Sequence, residues 1–237
     1  MNISIIIPAY NEEKYIGECL AHVLKYKTPA VSEVIVVNNA STDETSAVAR
    51  RYPGIKVVDE PRKGLTRARQ RGLQEATGDL LAYIDADTRM PQFWLPILER
   101  EFQSDRELVC LSGPYDYYDL PAARRFLARM FWKIVAIPSY YMIGYLIAGG
   151  NFAAKKESLL KIGGFDRQIE FHGEDTNLAV RLQRVGKVKF MSRFFIWTSG
   201  RRLLAEGLVT TTYQYVMNVI WELFLHRPYS QQYRDFR

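Results

Sequence analysis

A doubly wound α/β sheet, mostly parallel and flanked by helices, is the fold this sequence predicts. Three observations predict it. Short β-branched runs alternate with amphipathic stretches through the first half of the chain. The strand-like runs are apolar on both faces, as parallel strands sandwiched between helices must be. Polar clusters follow the runs at Ala9 to Glu12, Asn38 to Asp43 and Asp85 to Thr88. Ligands of such sheets bind there, beyond the carboxyl ends of the strands.

Each element follows from its own residues. Ile3-Ser4-Ile5-Ile6-Ile7 reads as a strand stopped at Pro8, which has no amide proton to extend a ladder. Asn11 is placed to cap a helix whose apolar face is Ile16, Cys19, Leu20, Val23 and Leu24. Val34 to Val37 is a second strand, and Ser41 with Glu44 has capping-box spacing, predicting a helix from about Thr42. Ile55 to Val58, a helix from Leu65 to Ala76 and a strand from Leu80 to Ile84 complete this half. The second half predicts a helix over Phe93 to Phe102, a strand over Leu108 to Ser112 and a helix from Glu174 to Val185 stopped by Gly186. Leu203 to Leu225 reads as a long helix. The expected division is an α/β domain over 1–200, in two halves that meet at about 112. A helical C-terminal extension over 201–237 follows.

With 237 residues, 48% of them hydrophobic, the chain can bury a core without disulfide or metal staples. Cys19 and Cys110 lie within apolar runs and read as buried small hydrophobes. The formal charge of +6 admits anionic ligands, nucleic acid or an anionic membrane. With no lysine-arginine tract and no RNA-binding aromatic motif, nucleic acid is not expected as a partner. The chain opens on its first strand without a basic, apolar leader, which reads as cytoplasmic.

Asp85-Ala86-Asp87 ends a buried strand. Two carboxylates on alternate residues of a tight turn can face one hard cation, Mg²⁺ or Mn²⁺, whose shell is completed by diphosphate oxygens and water. Such an ion neutralises a diphosphate leaving group; the plainer reading of the same residues is an acidic turn. The triplet has company. Pro8-Ala9-Tyr10-Asn11-Glu12-Glu13 follows the first strand and Val37-Asn38-Asn39-Ala40-Ser41-Thr42-Asp43 the second. Lys63-Gly64, Ala68-Arg69-Gln70-Arg71-Gly72 and Gly78-Asp79 come next, then Gly149-Gly150-Asn151-Phe152, Gly163-Gly164-Phe165-Asp166 and Gly173-Glu174-Asp175 with Arg181. In order and approximate spacing this set resembles the family-2 glycosyltransferases, over roughly residues 1 to 190.

The resemblance implies an A-type glycosyltransferase fold and an inverting, metal-dependent transfer of one sugar from a nucleotide diphosphate sugar to an acceptor hydroxyl. UDP-sugars are the favoured donors. It assigns Pro8, Tyr10, Glu12, Asn38, Asp43, Arg69 and Asp85 to the nucleotide, Asp87 to the metal, and Gly150, Asn151 and Glu174 to the donor-sugar or acceptor side. Asp175 is the implied general base, a carboxylate that a helix N-terminus favours ionised. His172 is a further candidate ligand, and Arg201 and Arg202 either contact diphosphate or form a solvated turn. Asp43, Glu44, Glu174 and Asp175 also fit plain first-turn acids, and Arg69 equally fits a partner of a structural carboxylate. Gly149, Gly150, Gly163 and Gly164 fit tight turns and close backbone approach.

Gln70 stands where the family usually has asparagine. The Gln-x-x-Arg-Trp motif of processive synthases is not found, which argues for single-sugar transfer. A sugar nucleotidyltransferase would want a glycine-rich basic loop where Pro8 to Glu13 stands, and a non-catalytic binding module would have no need of Asp175. Ile134 to Ala154 is uncharged and long enough to span a bilayer. It holds Pro138 and ends in the Gly149-Gly150-Asn151 motif, so it is expected not to span. Arg124, Arg125, Arg129 and Lys133 beside Phe126, Met130, Phe131 and Trp132 fit either ordinary core packing or peripheral contact with an anionic membrane, the latter useful for a lipid-linked acceptor. Oligomeric state is left open.

Overall fold

The structure, a computed structural model, describes residues 1–167, 169, 173–207 and 217. Its central sheet has seven strands: β1 (Ile3–Ala9), β2 (Val31–Asn38), β3 (Ile55–Asp59), β4 (Leu80–Ile84), β6 (Leu108–Ser112), β8 (Asn151–Lys155) and β9 (Lys187–Phe190), in the order β3-β2-β1-β4-β8-β6-β9. β8 is antiparallel to both neighbours and every other pairing is parallel. A second sheet joins β5 (Thr88–Arg89), β7 (Tyr115–Tyr117) and β10 (Ile196–Thr198) in the order β5-β10-β7.

Alternation along the strands loads both faces of the main sheet. Ile3, Ile5 and Ile7 pack with Ile16, Cys19, Leu20 and Val23 of α1 (Ile16–Tyr26) and with Trp94, Leu95 and Leu98 of α4 (Trp94–Ser104). Ile6, Ile35 and Val37 face the other way, with Ala68 and Leu73 of α3 (Leu65–Glu75) and Leu178, Ala179 and Leu182 of α8 (Glu174–Gln183). Both cysteines are free and buried.

The expected elements form, with three local corrections. β1 runs through Pro8 to Ala9 and does not stop before it. Pairing with β4 ends at Ile6, so beyond that point the strand is laddered on one side only and a residue without a donor is tolerated. Asn11 does not cap α1, whose N-cap is Tyr15 without a side-chain bond. Its side chain instead accepts from Thr42 N at 2.8 Å, and its φ of 52° turns the chain. Nor does Ser41 open α2 (Thr45–Arg50). Its N-cap is Glu44, without a side-chain bond, and Asp43 Oδ1 before it accepts from Thr45 N at 3.0 Å.

Register decides where the site forms. β8 runs against β4 with Asn151 opposite Ile84, so its N-terminal end lies where β4 finishes. The Gly149-Gly150 pair is thereby brought to Asp85. β10 pairs with β5 through Thr198 and Thr88, which carries the start of α9 (Arg201–Glu206) to the same place. The long helix expected over Leu203 to Leu225 lies outside the described residues beyond Gly207, Met217 apart. No described helix is long and apolar enough to cross a membrane.

Candidate active site

Arg69, on α3, sits at the middle of the site and is 1% exposed. Its Nη1 is 2.5 Å from Glu174 Oε2 and its Nη2 3.9 Å from Asp85 Oδ1. Nη2 also donates to the Gly149 carbonyl at 2.6 Å. One guanidinium thus ties α8, the end of β4 and the glycine loop together. Burial works against its charge, and the Glu174 and Asp85 carboxylates outweigh that and raise its pKa. A side chain this enclosed is held by those carboxylates, the second of the two arrangements its motif allowed.

The glycine pair is required by proximity. A Cβ on Gly149 would lie 2.5 Å from Glu174 Oε1, and one on Gly150 would lie 1.9 Å from Asp85 Oδ2. Gly150 N donates to the Tyr115 hydroxyl at 2.5 Å. Asp85 keeps 38% of its side chain exposed and is the open face of this cluster.

Glu174 and Asp175 occupy the first turn of α8. The helix dipole was expected to hold Asp175 ionised with ease, and burial overrides it. Desolvation raises the Asp175 carboxyl above its ordinary value, opposed by the Thr176 amide, which donates to Oδ1 at 2.8 Å, and by Arg69 and Arg202. Burial likewise pushes Glu174 up, to about 7, with Arg69 as the main opposing charge.

A second ion cluster adjoins the first. Arg201 Nη2 lies 2.5 Å from Glu12 Oε1 and 3.1 Å from Asp87 Oδ2, with its guanidinium carbon 4.5 Å from the Tyr15 ring centre. Burial opposes its charge, and Glu12 and Asp87 raise its pKa. Thr198 Oγ1 donates to Asp87 Oδ1 at 3.3 Å, and the Tyr118 hydroxyl donates to the Asp87 carbonyl at 3.2 Å. The solvated-turn reading of Arg201 is therefore wrong: it opens α9 inside the cleft. Arg202, beside it, acts electrostatically on Asp175. Glu12 is buried beneath this pair, so it reaches the site through Arg201.

Several nucleotide-side candidates line the adjoining loops. Lys63 Nζ sits 3.9 Å above the Tyr10 ring. Asp43 is partly exposed, yet Oδ2 accepts from Glu13 N at 3.1 Å while Oδ1 holds Thr45. Burial would raise its pKa, and these bonds lower it. Asn38 Nδ2 donates to Asp59 Oδ1 at 2.8 Å. Pro8 is buried within β1. Asn39, not among the expected site residues, organises the next loop: Gly64 N donates to its Oδ1 at 2.8 Å and its Nδ2 donates to the Arg62 carbonyl at 2.8 Å.

Asn151 faces inward. It is fully buried, with Oδ1 accepting from Trp94 Nε1 at 2.8 Å and Nδ2 facing the carbonyls of Gly113, Pro114 and Phe194 at 2.8 to 3.1 Å. It pins the loops behind the glycine pair. Asn151→Leu removes the partner of each of these groups and is expected to cost about 3 kcal/mol or more. The urea midpoint should fall at unchanged slope. His172 lies outside the described residues. Tyr115 and Thr198 stand in three-residue strands and Tyr118 just beyond one, too short for a period to mark them. Only the nearness of Thr198 in sequence to Arg201 and Arg202 pointed that way.

Asp85 and Asp87 supply hard carboxylate oxygens, the chemistry Mg²⁺ or Mn²⁺ prefers. Among the described residues no group of three or more His, Cys, Asp or Glu converges on one point. A donor set of one or two carboxylates suits an ion that shares its shell with a diphosphate.

Comparison with known proteins gives the family and the fold. The family model described as glycosyl transferase family 2 matches residues 4–163. A probable glycosyltransferase of Bacillus subtilis is 29% identical over 214 residues, 82% of this chain and 50% of its own length. An uncharacterized glycosyltransferase of Mycobacterium bovis is 30% identical over 194 residues, 78% of this chain and 80% of its own length. The chain thus spans half of the first relative and most of the second. Among solved structures, a mannosyltransferase from Pyrobaculum calidifontis in complex with GDP-Man and Mn²⁺ superposes with a TM-score of 0.67 at 21% identity, over 90% of this chain and 59% of that one. Glucosyl-3-phosphoglycerate synthase from Mycobacterium tuberculosis, with Mn²⁺, UDP-Glc and phosphoglyceric acid, superposes with a TM-score of 0.68 at 21% identity, over 98% and 88%. These neighbours share the A-type glycosyltransferase fold. The family match runs over more than half of the chain and through most of the motifs that meet in the cleft, and the chain belongs to glycosyl transferase family 2.

Proposed function

We propose that the chain transfers a single sugar from a nucleotide diphosphate sugar, UDP-linked by preference, to an acceptor hydroxyl with inversion. The observation that carries this reading is the convergence, at the end of β4, of Asp85 and Glu174 on one buried guanidinium, with Asp175 in the same helical turn. Asp175 takes the proton of the acceptor hydroxyl as that oxygen attacks the anomeric carbon from the face opposite the diphosphate. A carboxyl raised by burial is a better proton acceptor than an exposed aspartate, provided it stays ionised. Glu174 and Arg69 hold the turn that presents it.

On the donor side, Asp87 with Asp85 would hold Mg²⁺ or Mn²⁺, which when bound neutralises diphosphate charge. Arg201, fixed by Glu12, stands beside Asp87 as a second positive group for the same phosphates. Tyr10, Lys63, Asn38 and Asp43 line the nucleoside side.

A thermal-shift screen of UDP- and GDP-sugars with and without Mn²⁺ tests the reading. A donor at one hundred times its Kd stabilises the folded state by about 2.7 kcal/mol. For a domain of this size that is a rise of about 5 to 10 °C. The rise should need Mn²⁺. No shift with any nucleotide sugar, in either condition, would remove the proposal.

A further inference from the structure

Between β7 and the glycine pair, α5 (Ala122–Phe131), a π-helical turn (Trp132–Ala136) and α6 (Ile137–Ile143) follow one another without a break, a rod of about 33 Å. One side of the rod is packed on the protein. Ala128 and Ala136 are buried, Trp132 stacks on Phe190 with ring centres 5.7 Å apart, and Tyr140 lies 6.2 Å from the same ring. Those four recur every fourth residue. The opposite side is apolar and exposed: Phe126, Leu127, Ile134, Val135, Tyr141 and Met142 are each between 38% and 86% exposed. Leu127, Ile134 and Tyr141 recur every seventh residue, one stripe down the rod. Six large apolar side chains on one stripe make a patch that a monomer rarely shows to water.

We propose that this stripe rests on an anionic bilayer surface, with the rod lying in the interfacial plane. Charge selects this occupant. Residues 121–150 contain no Asp or Glu, and the exposed Arg124 and Lys133 flank the stripe. Cations beside an apolar face suit anionic headgroups, each adding to the attraction. A second copy of the chain docked about a two-fold axis would bring these cations toward their own like, which costs stability. The packed inner side keeps the rod from crossing the bilayer. From Ile143 only five residues lead to Gly149, whose carbonyl takes the Arg69 bond. The surface therefore lies next to the cleft, and a hydroxyl on a membrane lipid is the acceptor class it would present. That last step rests on the transferase reading; the docking surface itself does not.

Co-sedimentation of the full chain with phosphatidylcholine vesicles, with and without phosphatidylglycerol, tests the proposal. Wild type should pellet with the anionic vesicles. The triple variant Ile134→Ser, Tyr141→Ser, Met142→Ser should lose about tenfold or more in partitioning. Arg124→Gln with Lys133→Gln should lose the preference for anionic over neutral vesicles. All five side chains are exposed, so the thermal midpoint should not move. Metal-dependent release of nucleotide from a soluble donor should be equal in wild type and variants, which separates failure of the docking surface from failure of the transferase reading. Wild type left in the supernatant, a triple variant that pellets as well as wild type, or a dimer in solution that the triple variant dissociates would each overturn the proposal.

Discussion

Asp175→Asn is expected to lower transfer by about 10² to 10⁴, the ordinary contribution of a general base, with donor affinity nearly unchanged. The substitution keeps shape and removes only the ability to accept a proton. Because burial raises the Asp175 carboxyl, its ionisation should show in the rate. In the wild type kcat/KM should rise with pH through a value above that of an ordinary aspartate and then level, while the residual rate of the variant should show no such limb. Stability should move the other way. A carboxyl whose folded pKa is raised supports the fold fully below its unfolded pKa and loses that support as pH climbs through the folded value. At neutral pH ionised Asp175 therefore weighs against the fold, and Asp175→Asn should melt no lower than wild type, as strained functional sites commonly do when relieved. Loss of donor binding together with transfer would mean that the base is another residue.

Glu174, one residue earlier, separates the two roles. Its 2.5 Å contact with Arg69 is buried, and breaking a buried pair by removing one partner costs about 3 to 5 kcal/mol. Replacing it should show first in unfolding, whereas replacing Asp175 should show first in turnover.

The N-terminal half of the fold was legible because its strands are written twice, once in β-branched runs and again in the polar clusters that end them. Leu80 to Ile84 and Leu108 to Ser112 fall where apolar composition and turn residues place them. β8 is harder: Phe152-Ala153-Ala154 carries little strand propensity, and its place between β4 and β6 is a tertiary choice. The small sheet was not predicted at all, since two- and three-residue strands have no period to detect. In the site, Asp85, Glu174 and the glycine pair were readable as motifs, but what they contact was not. The Arg69 motif gave equal reason to expect a ligand or a carboxylate, and burial decided for the carboxylate. Arg201 looked like a surface turn because its partners Glu12 and Asp87 lie 189 and 114 positions away in the chain. Asn151 was grouped with the ligand-side residues because it closes a motif, and its side chain turned out to be the joint behind that motif.

Asp87→Asn carries the other large effect. Loss of a ligand carboxylate is expected to remove the Mn²⁺-dependent part of donor stabilisation and to lower transfer by about 10³ or more, a metal's charge being worth several kcal/mol at a diphosphate. Arg201 makes this prediction sharper. Its guanidinium already balances Asp87 at 3.1 Å and Glu12 at 2.5 Å, so a cation added alone must compete with a resident positive charge. Arg201→Ala should therefore bind Mn²⁺ alone more tightly than wild type and bind Mn²⁺ with nucleoside diphosphate more weakly, because the phosphates lose a partner. Titration calorimetry reads both. A change of the same sign in the two titrations would show that Arg201 serves only the fold, and equal Mn²⁺ affinity in wild type and Asp87→Asn would place the cation elsewhere.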